Sequence, residues 1–180
     1  FLISAYEWHM MTKQKNYNIL GLFFLIISFY LVYKIRNDFD GEYFNLLFVV
    51  LICIATDIGG YIFGKILKGP KLTSISPKKT YSGVFGAYIL SILCINFYLK
   101  IPFFESKLDM NWQIIFVIIM ISSISQIGDL TMSYFKRLSK IKDTGRLIPG
   151  HGGLLDRIDG MIFAFPFTYL IFLTKLHYYF

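Results

Sequence analysis

The chain has 180 residues, 56% of them hydrophobic and only 16% charged, with a formal net charge of +7. That is too apolar for an ordinary soluble domain and points to membrane insertion. The positive balance reads as a topology signal with a phosphate-binding component, so no nucleic acid partner is needed to account for it.

In chain order, residues 1–5 are apolar and follow no initiator methionine, which reads as the stub of an earlier helix in a truncated chain. Five apolar stretches then approach the length that crosses a hydrocarbon core of about 30 Å: 18–35, 44–64, 84–99, 112–128 and 158–176. They do not alternate with a two-residue period, so helices rather than barrel strands are expected. Nothing marks a second domain. The expectation is an all-α polytopic integral membrane protein, residues 1–180 forming one transmembrane domain.

Cations set the orientation. The connection 65–83 carries Lys65, Lys68, Lys71, Lys78 and Lys79 without an acid, and 129–157 carries Lys136, Arg137, Lys140, Lys142, Arg146 and Arg157. Both are expected in the cytoplasm. The other connections, one with Asp38, Asp40 and Glu42 against a single arginine and one in which Glu105 and Asp109 balance Lys100 and Lys107, suit the opposite side. The N-terminus then lies inside and the C-terminus outside, with loops 65–83 and 129–157 forming a cytoplasmic catalytic face. Cys53 and Cys94 fall within spans and read as small apolar fillers.

Several polar groups stand out. Asp57 lies inside the second span, where a carboxylate costs about 2.5–3.5 kcal/mol unless it meets a partner or water; it either pairs with a lysine near the helix end or lines a site. Gly59, Gly60 and Gly64 beside it permit close helix approach. Lys78, Lys79, Thr80 and Ser82 crowd the start of the third span, as a headgroup anchor or as a phosphate site at a helix N-terminus. Asp129 closes the fourth span, and Asp156 and Asp159 open the fifth, three residues apart on one helix face. Antiparallel neighbours would bring these carboxylates together among cations, an arrangement suited to magnesium held between carboxylates and substrate phosphates. The bland alternative is that Asp156 and Asp159 complement the helix dipole and pair with Arg157.

Between them, residues 130–141 place Leu130, Tyr134, Leu138 and Ile141 at helical spacing, with Lys136, Arg137 and Lys140 on the other flank. This predicts a short interfacial amphipathic helix that grips an anionic headgroup. His151, flanked by Gly150, Gly152 and Gly153, is either inert or a donor to phosphate.

Ser133, Lys136, Arg137, Lys142, Asp143, Pro149, Gly150, His151, Gly152, Gly153, Asp156, Arg157 and Asp159 together resemble the C-terminal signature of the CDP-diacylglycerol synthases, or phosphatidate cytidylyltransferases. Upstream, Ser76, Pro77, Lys78, Lys79, Thr80 and Gly83 are similar to a second segment of that family, and Asp57, Gly64 and Lys65 to its preceding helix. Ser82 departs from the pattern, since many members carry an acid there.

The resemblance implies transfer of a cytidylyl group from CTP to phosphatidate, with magnesium, in a bacterial inner membrane with the site facing the cytoplasm; it leaves room for a second cation and for a homodimer. It implies Asp129 and Asp156 as metal ligands, with Asp159 nearby. Lys136, Arg137 and Arg157 would hold phosphates, and Asp143 and His151 would join the catalytic set. Ser76, Lys78, Lys79, Thr80, Ser133, Lys142, Gly152, Gly153 and Asp57 would contact substrate. Two other functions stay open: a CTP-dependent kinase for a polyprenol-like lipid alcohol, and a transporter with Asp57 on its path.

Overall fold

The computed structural model describes residues 1–38, 43–101, 110–145, 147 and 152–174. They form six helices: α1 (Leu2–Thr12), α2 (Asn18–Asn37), α3 (Tyr43–Leu67), α4 (Tyr81–Leu99), α5 (Trp112–Leu138) and α6 (Leu155–Leu173). The protein is an all-α integral membrane protein. Helices α2 to α5 are long and apolar enough to cross a bilayer. Helix α6, 19 residues long, packs among them with its charges, Asp156, Arg157 and Asp159, gathered near its start.

Apolar side chains cover the outside as well as the inside. Leu20, Phe23, Phe85, Phe97 and Phe116 are all exposed, an arrangement that water penalises and lipid tails accept. Inside, Val49 and Ile52 of α3, Ile95 of α4, Ile114, Ile118 and Ile121 of α5 and Ala164 and Phe172 of α6 form one core. A second cluster joins Trp8 and Met11 of α1 to Leu25, Met132, Leu155 and Ile162.

Lipid gives helices no hydrophobic reason to associate, so small residues and interhelical hydrogen bonds decide the contacts. Helices α3 and α4 meet along Gly59, Gly60 and Gly64 on one side and Gly83, Gly86 and Ala87 on the other. A Cβ built on Gly59 would lie 2.5 Å from the Gly86 carbonyl oxygen and 2.9 Å from Ala87 Cα. Deeper in the bundle, Thr56 Oγ1 donates to Ser122 Oγ at 2.7 Å and lies 3.0 Å from Ser91 Oγ, tying α3 to α5 and α4.

Two local devices shape the end of the bundle where both basic connections lie. Lys68 and Gly69 take positive φ values of 55° and 117° and turn the chain out of α3. A bridge between Lys71 and Thr80 then folds residues 70–80 back, and Thr80 caps α4 by accepting from Gly83 N at 3.2 Å. Helix α5 ends in a Schellman arrangement, Ile141 N donating to Lys136 O and Lys140 N to Arg137 O, with Lys140 at φ 56°.

The stretch 130–141, expected as a separate interfacial helix, is for the most part the continuation of α5, which runs unbroken to Leu138. No proline interrupts it, and Gly128 is where the Phe163 ring of α6 packs closely, a Cβ there falling 2.7 Å from Phe163 Cδ2. The fourth span and the expected cationic helix are therefore one rigid rod. The apolar stub expected at 1–5 belongs to α1, which continues to Thr12.

Gly59→Leu is expected to push α3 and α4 apart and to cost about 1–3 kcal/mol of stability, the range of overpacked interiors. Thermal unfolding in detergent measures it, and an unchanged transition would show that the two backbones do not approach at this position.

Candidate active site

The C-terminal end of α3, the N-terminus of α4, the C-terminal part of α5 and the first turn of α6 surround one polar cavity of about 430 Å³. Asp57 of α3, Asp129 and Lys136 of α5 and Asp156, Arg157 and Asp159 of α6 line it. The folded-back segment brings Ser76, Lys78, Lys79 and Thr80, and Asp143 approaches from beyond α5. Eleven of the residues expected at the site thus share one chamber, although its parts are separated by more than fifty residues in the chain.

The charges inside are paired in an ordered way. Lys79 Nζ lies 2.5 Å from Asp129 Oδ2, and Ser133 Oγ is 3.4 Å from the other oxygen of Asp129. Lys136, only 9% exposed, reaches Asp156 Oδ1 at 2.9 Å and Asp159 Oδ2 at 3.6 Å. A lysine so buried needs charged partners, and two aspartates one helical turn apart supply them. Asp156 and Asp159 thus share Lys136 of α5 as an ion-pair partner, where the sequence suggested Arg157.

Asp156 is the most heavily used of these carboxylates, with three contacts. Its Oδ1 holds Lys136, while its Oδ2 accepts Thr144 N at 2.8 Å and Gly153 N at 3.0 Å. It works as an anchor for the segment between α5 and α6. Gly152 bends that segment with φ +83°, and a Cβ there would come within 2.8 Å of Asp156 Oδ2. Asp159 is less committed: Oδ1 accepts its neighbour Gly160 N at 2.9 Å, and Oδ2 has only the longer contact to Lys136. Asp57 makes no ion pair within 4 Å among the described residues, although it borders the cavity.

Other expected residues fall elsewhere. Arg137 is exposed and donates to Ile141 O at 3.2 Å, closing the end of α5 outside the cavity. Lys142 is exposed, and Gly153 is buried beneath the cavity wall. His151, with Arg146, Pro149 and Gly150, lies outside the described residues, as do Asp40, Glu42, Glu105 and Asp109.

Sequence reasoning passed over Glu7 of α1. This carboxylate is 5% exposed and accepts from Leu154 N at 3.0 Å, Leu155 N at 2.7 Å and Thr144 Oγ1 at 3.2 Å. The only signal for it was a solitary acid in the otherwise uncharged run of α1, a signal that carries no address.

No group of three or more histidine, cysteine or acidic side chains is arranged to hold a metal by itself among the described residues. Magnesium does not require one, because it takes one or two carboxylates and completes its shell with phosphate and water. Asp57, Asp129 and Asp159 border the same chamber with oxygens not fully used by the protein, so the donor set is compatible with such an ion.

A helical membrane protein with carboxylates and lysines interleaved in one chamber at the helix ends has the makings of an enzyme that moves phosphate-bearing groups. A family model described as the Cytidylyltransferase family matches residues 1–174. A phosphatidate cytidylyltransferase of Staphylococcus epidermidis is 39% identical over 91% of this chain and 70% of its own length. One from Brucella suis is 33% identical over 94% and 63%, and one from Staphylococcus saprophyticus 36% over 82% and 55%. The chain belongs to the cytidylyltransferase family and is a nucleotidyltransferase, spanning 70%, 63% and 55% of the length of these three relatives.

Removing Asp156 strands a buried ammonium and two backbone donors, whereas removing Asp57 strands nothing the protein itself supplies. Asp156→Ala is therefore expected to lose about 3–5 kcal/mol of stability, and Asp57→Asn to unfold at or above the unmodified temperature. Thermal unfolding without substrate distinguishes them, and equal losses would contradict the partner assignment.

Proposed function

We propose that the chain performs the cytidylyl transfer of a phosphatidate cytidylyltransferase, converting CTP and phosphatidate to CDP-diacylglycerol and pyrophosphate. A phosphate oxygen of the lipid attacks the α-phosphorus of CTP; the new bridging P–O bond forms as the bond to the β-phosphate oxygen breaks. The acceptor is already an anion, so the chemistry needs charge neutralisation and in-line placement more than a strong base. The observation that carries the reading is the single chamber of about 430 Å³ in which Lys78, Lys79, Lys136 and Arg157 stand among aspartates at helix ends.

Within it, the ammonium of Lys79 can leave Asp129 for a phosphate oxygen, and the N-terminus of α4 adds the favourable end of its dipole. Lys136, held by Asp156 and Asp159, has one further N–H for a substrate oxygen. Asp129, Asp159 and Asp57 have oxygen to offer magnesium, and Asp156, whose Oδ1 carries only Lys136, can contribute as well while its Oδ2 anchors the wall. When bound, the ion would neutralise charge on the triphosphate and steady the departing pyrophosphate. A lipid-alcohol kinase would need a base for a neutral hydroxyl; the cations argue for the phosphate acceptor.

Both basic connections lie at the chamber's end of the bundle, and the positive-inside bias supports a cytoplasmic position for that end. A bacterial inner membrane is the setting that the bacterial relatives suggest. Membrane lipid would deliver phosphatidate from the side, and water would deliver CTP.

The direct test supplies labelled CTP, phosphatidate and magnesium to the full chain and follows a lipid-linked cytidylyl product with release of pyrophosphate. Efficient phosphorylation of a neutral lipid alcohol instead would overturn the assignment. Asp129→Asn is expected to lower turnover by about 10–100-fold, the usual effect of disturbing a metal's surroundings. Ser74→Cys should react with an impermeant thiol reagent only from the cytoplasmic side and Asn37→Cys only from the other; the reverse pattern would invert the topology.

A further inference from the structure

We propose that Glu7 is a positioning residue for this reaction: from α1, outside the chamber, it clasps Thr144 of the segment joining α5 to α6 together with the start of α6, and so sets Asp156 and Lys136. The role in turnover rests on the cytidylyl transfer proposed above; the clasp itself does not.

Helix α6 begins without a capping side chain of its own, which leaves the backbone donors of its first turn in need of an acceptor. Glu7 provides it from almost 150 residues away in the chain: Oε1 accepts Leu154 N at 3.0 Å and Oε2 accepts Leu155 N at 2.7 Å. A carboxylate at a helix N-terminus is also favoured by the dipole. The same Oε2 accepts Thr144 Oγ1 at 3.2 Å, and the backbone of Thr144 donates in turn to Asp156 Oδ2 at 2.8 Å. One continuous relay therefore runs from Glu7 through Thr144 and Asp156 to Lys136 in the chamber.

Two glycines leave room for it. A Cβ at Gly145 would sit 2.6 Å from Glu7 Oε1, and one at Gly153 would sit 2.6 Å from Oε2. Gly153, which the sequence suggested as a substrate contact, thus has a second reason to lack a side chain.

Helix α1 is itself fixed to the rod that carries Lys136. Trp8, adjacent to Glu7, donates from Nε1 to Asn18 O at 3.0 Å and packs edge-on against Phe135 with ring centroids 5.3 Å apart. Glu7 thus ties the start of α6 to the end of α5 through rigid parts. Losing it should disturb the placement of groups used in the transition state more than the binding of either substrate.

The test is made on the full chain in detergent or lipid nanodiscs, combining amide hydrogen exchange with steady-state kinetics. In Glu7→Gln an amide NH₂ replaces one acceptor, and the amides of 153–155 should exchange at least about tenfold faster, in keeping with the loss of a charged hydrogen bond, while the middle of α6 keeps its protection. The kcat for the cytidylyl product should fall roughly tenfold or more, with KM for CTP and for phosphatidate held within about twofold. Thr144→Val should reproduce the direction of both changes, and the double variant should be little worse than the worse single variant, since both break one relay. Glu7→Asp, which keeps the charge, should recover part of the turnover. If Glu7→Gln does not accumulate, Thr144→Val and Glu7→Asp decide by the same readings. Unchanged protection at 153–155, turnover within twofold, or additive losses in the double variant would overturn the proposal. Failure of the unmodified chain to make any lipid-linked cytidylyl product would remove the reaction while the exchange measurement still decides the clasp.

Discussion

The buried ammonium of Lys136 between Asp156 and Asp159 is the interaction around which the reacting end of the bundle is arranged. An unpaired charge at that depth is not tolerated, and a pair gains only if the remaining oxygens and protons are also used. Satisfying Asp156 draws in the backbone of Thr144 and Gly153; satisfying the start of α6 draws in Glu7 from α1. Segments at the two ends of the chain are thereby fastened to one charge. The chamber wall is the outcome of that chain of satisfaction.

The apolar part of the bundle serves the same end by a different force. Glycine and alanine let α3 and α4 approach until backbone meets backbone, and the hydroxyls of Thr56, Ser91 and Ser122 link α3, α4 and α5 where lipid offers no competing partner. Close approach of α3 and α4 puts Asp57 across from the capped start of α4, so that an acid within a span faces a polar chamber. Helix α5, continuous through the depth once expected to hold a break, carries the register of this packed core out to Asp129 and Lys136 without a hinge.

This division assigns different work to residues of the same type. Asp156 spends its oxygens on the protein and holds a wall, whereas Asp57 and Asp159 keep oxygen capacity within the chamber. Lysines divide likewise: Lys136 is locked between two acids, and Lys79 holds a single acid that a substrate phosphate can replace. For a transfer between two anions, a site with some charges locked and others exchangeable gives both a fixed geometry and room for binding.

Hydropathy and cation placement by themselves determined the membrane class, the long helices and the end of the bundle that gathers charge, because each depends on stretches of local composition. The residues of the motif, with Asp57 and the segment around Lys79, also disclosed most of the chamber's lining. Tertiary structure alone decided who holds whom. That Asp156 is held by three donors while Asp57 is held by none among the described residues, that Arg137 closes a helix end outside the chamber, that residues 130–138 prolong a span and that Glu7 caps α6 are matters of which groups the fold brings together. Types and spacings describe what a side chain can offer; the free energy of burying a charge is settled only by the partners that the fold brings within about 3 Å of it.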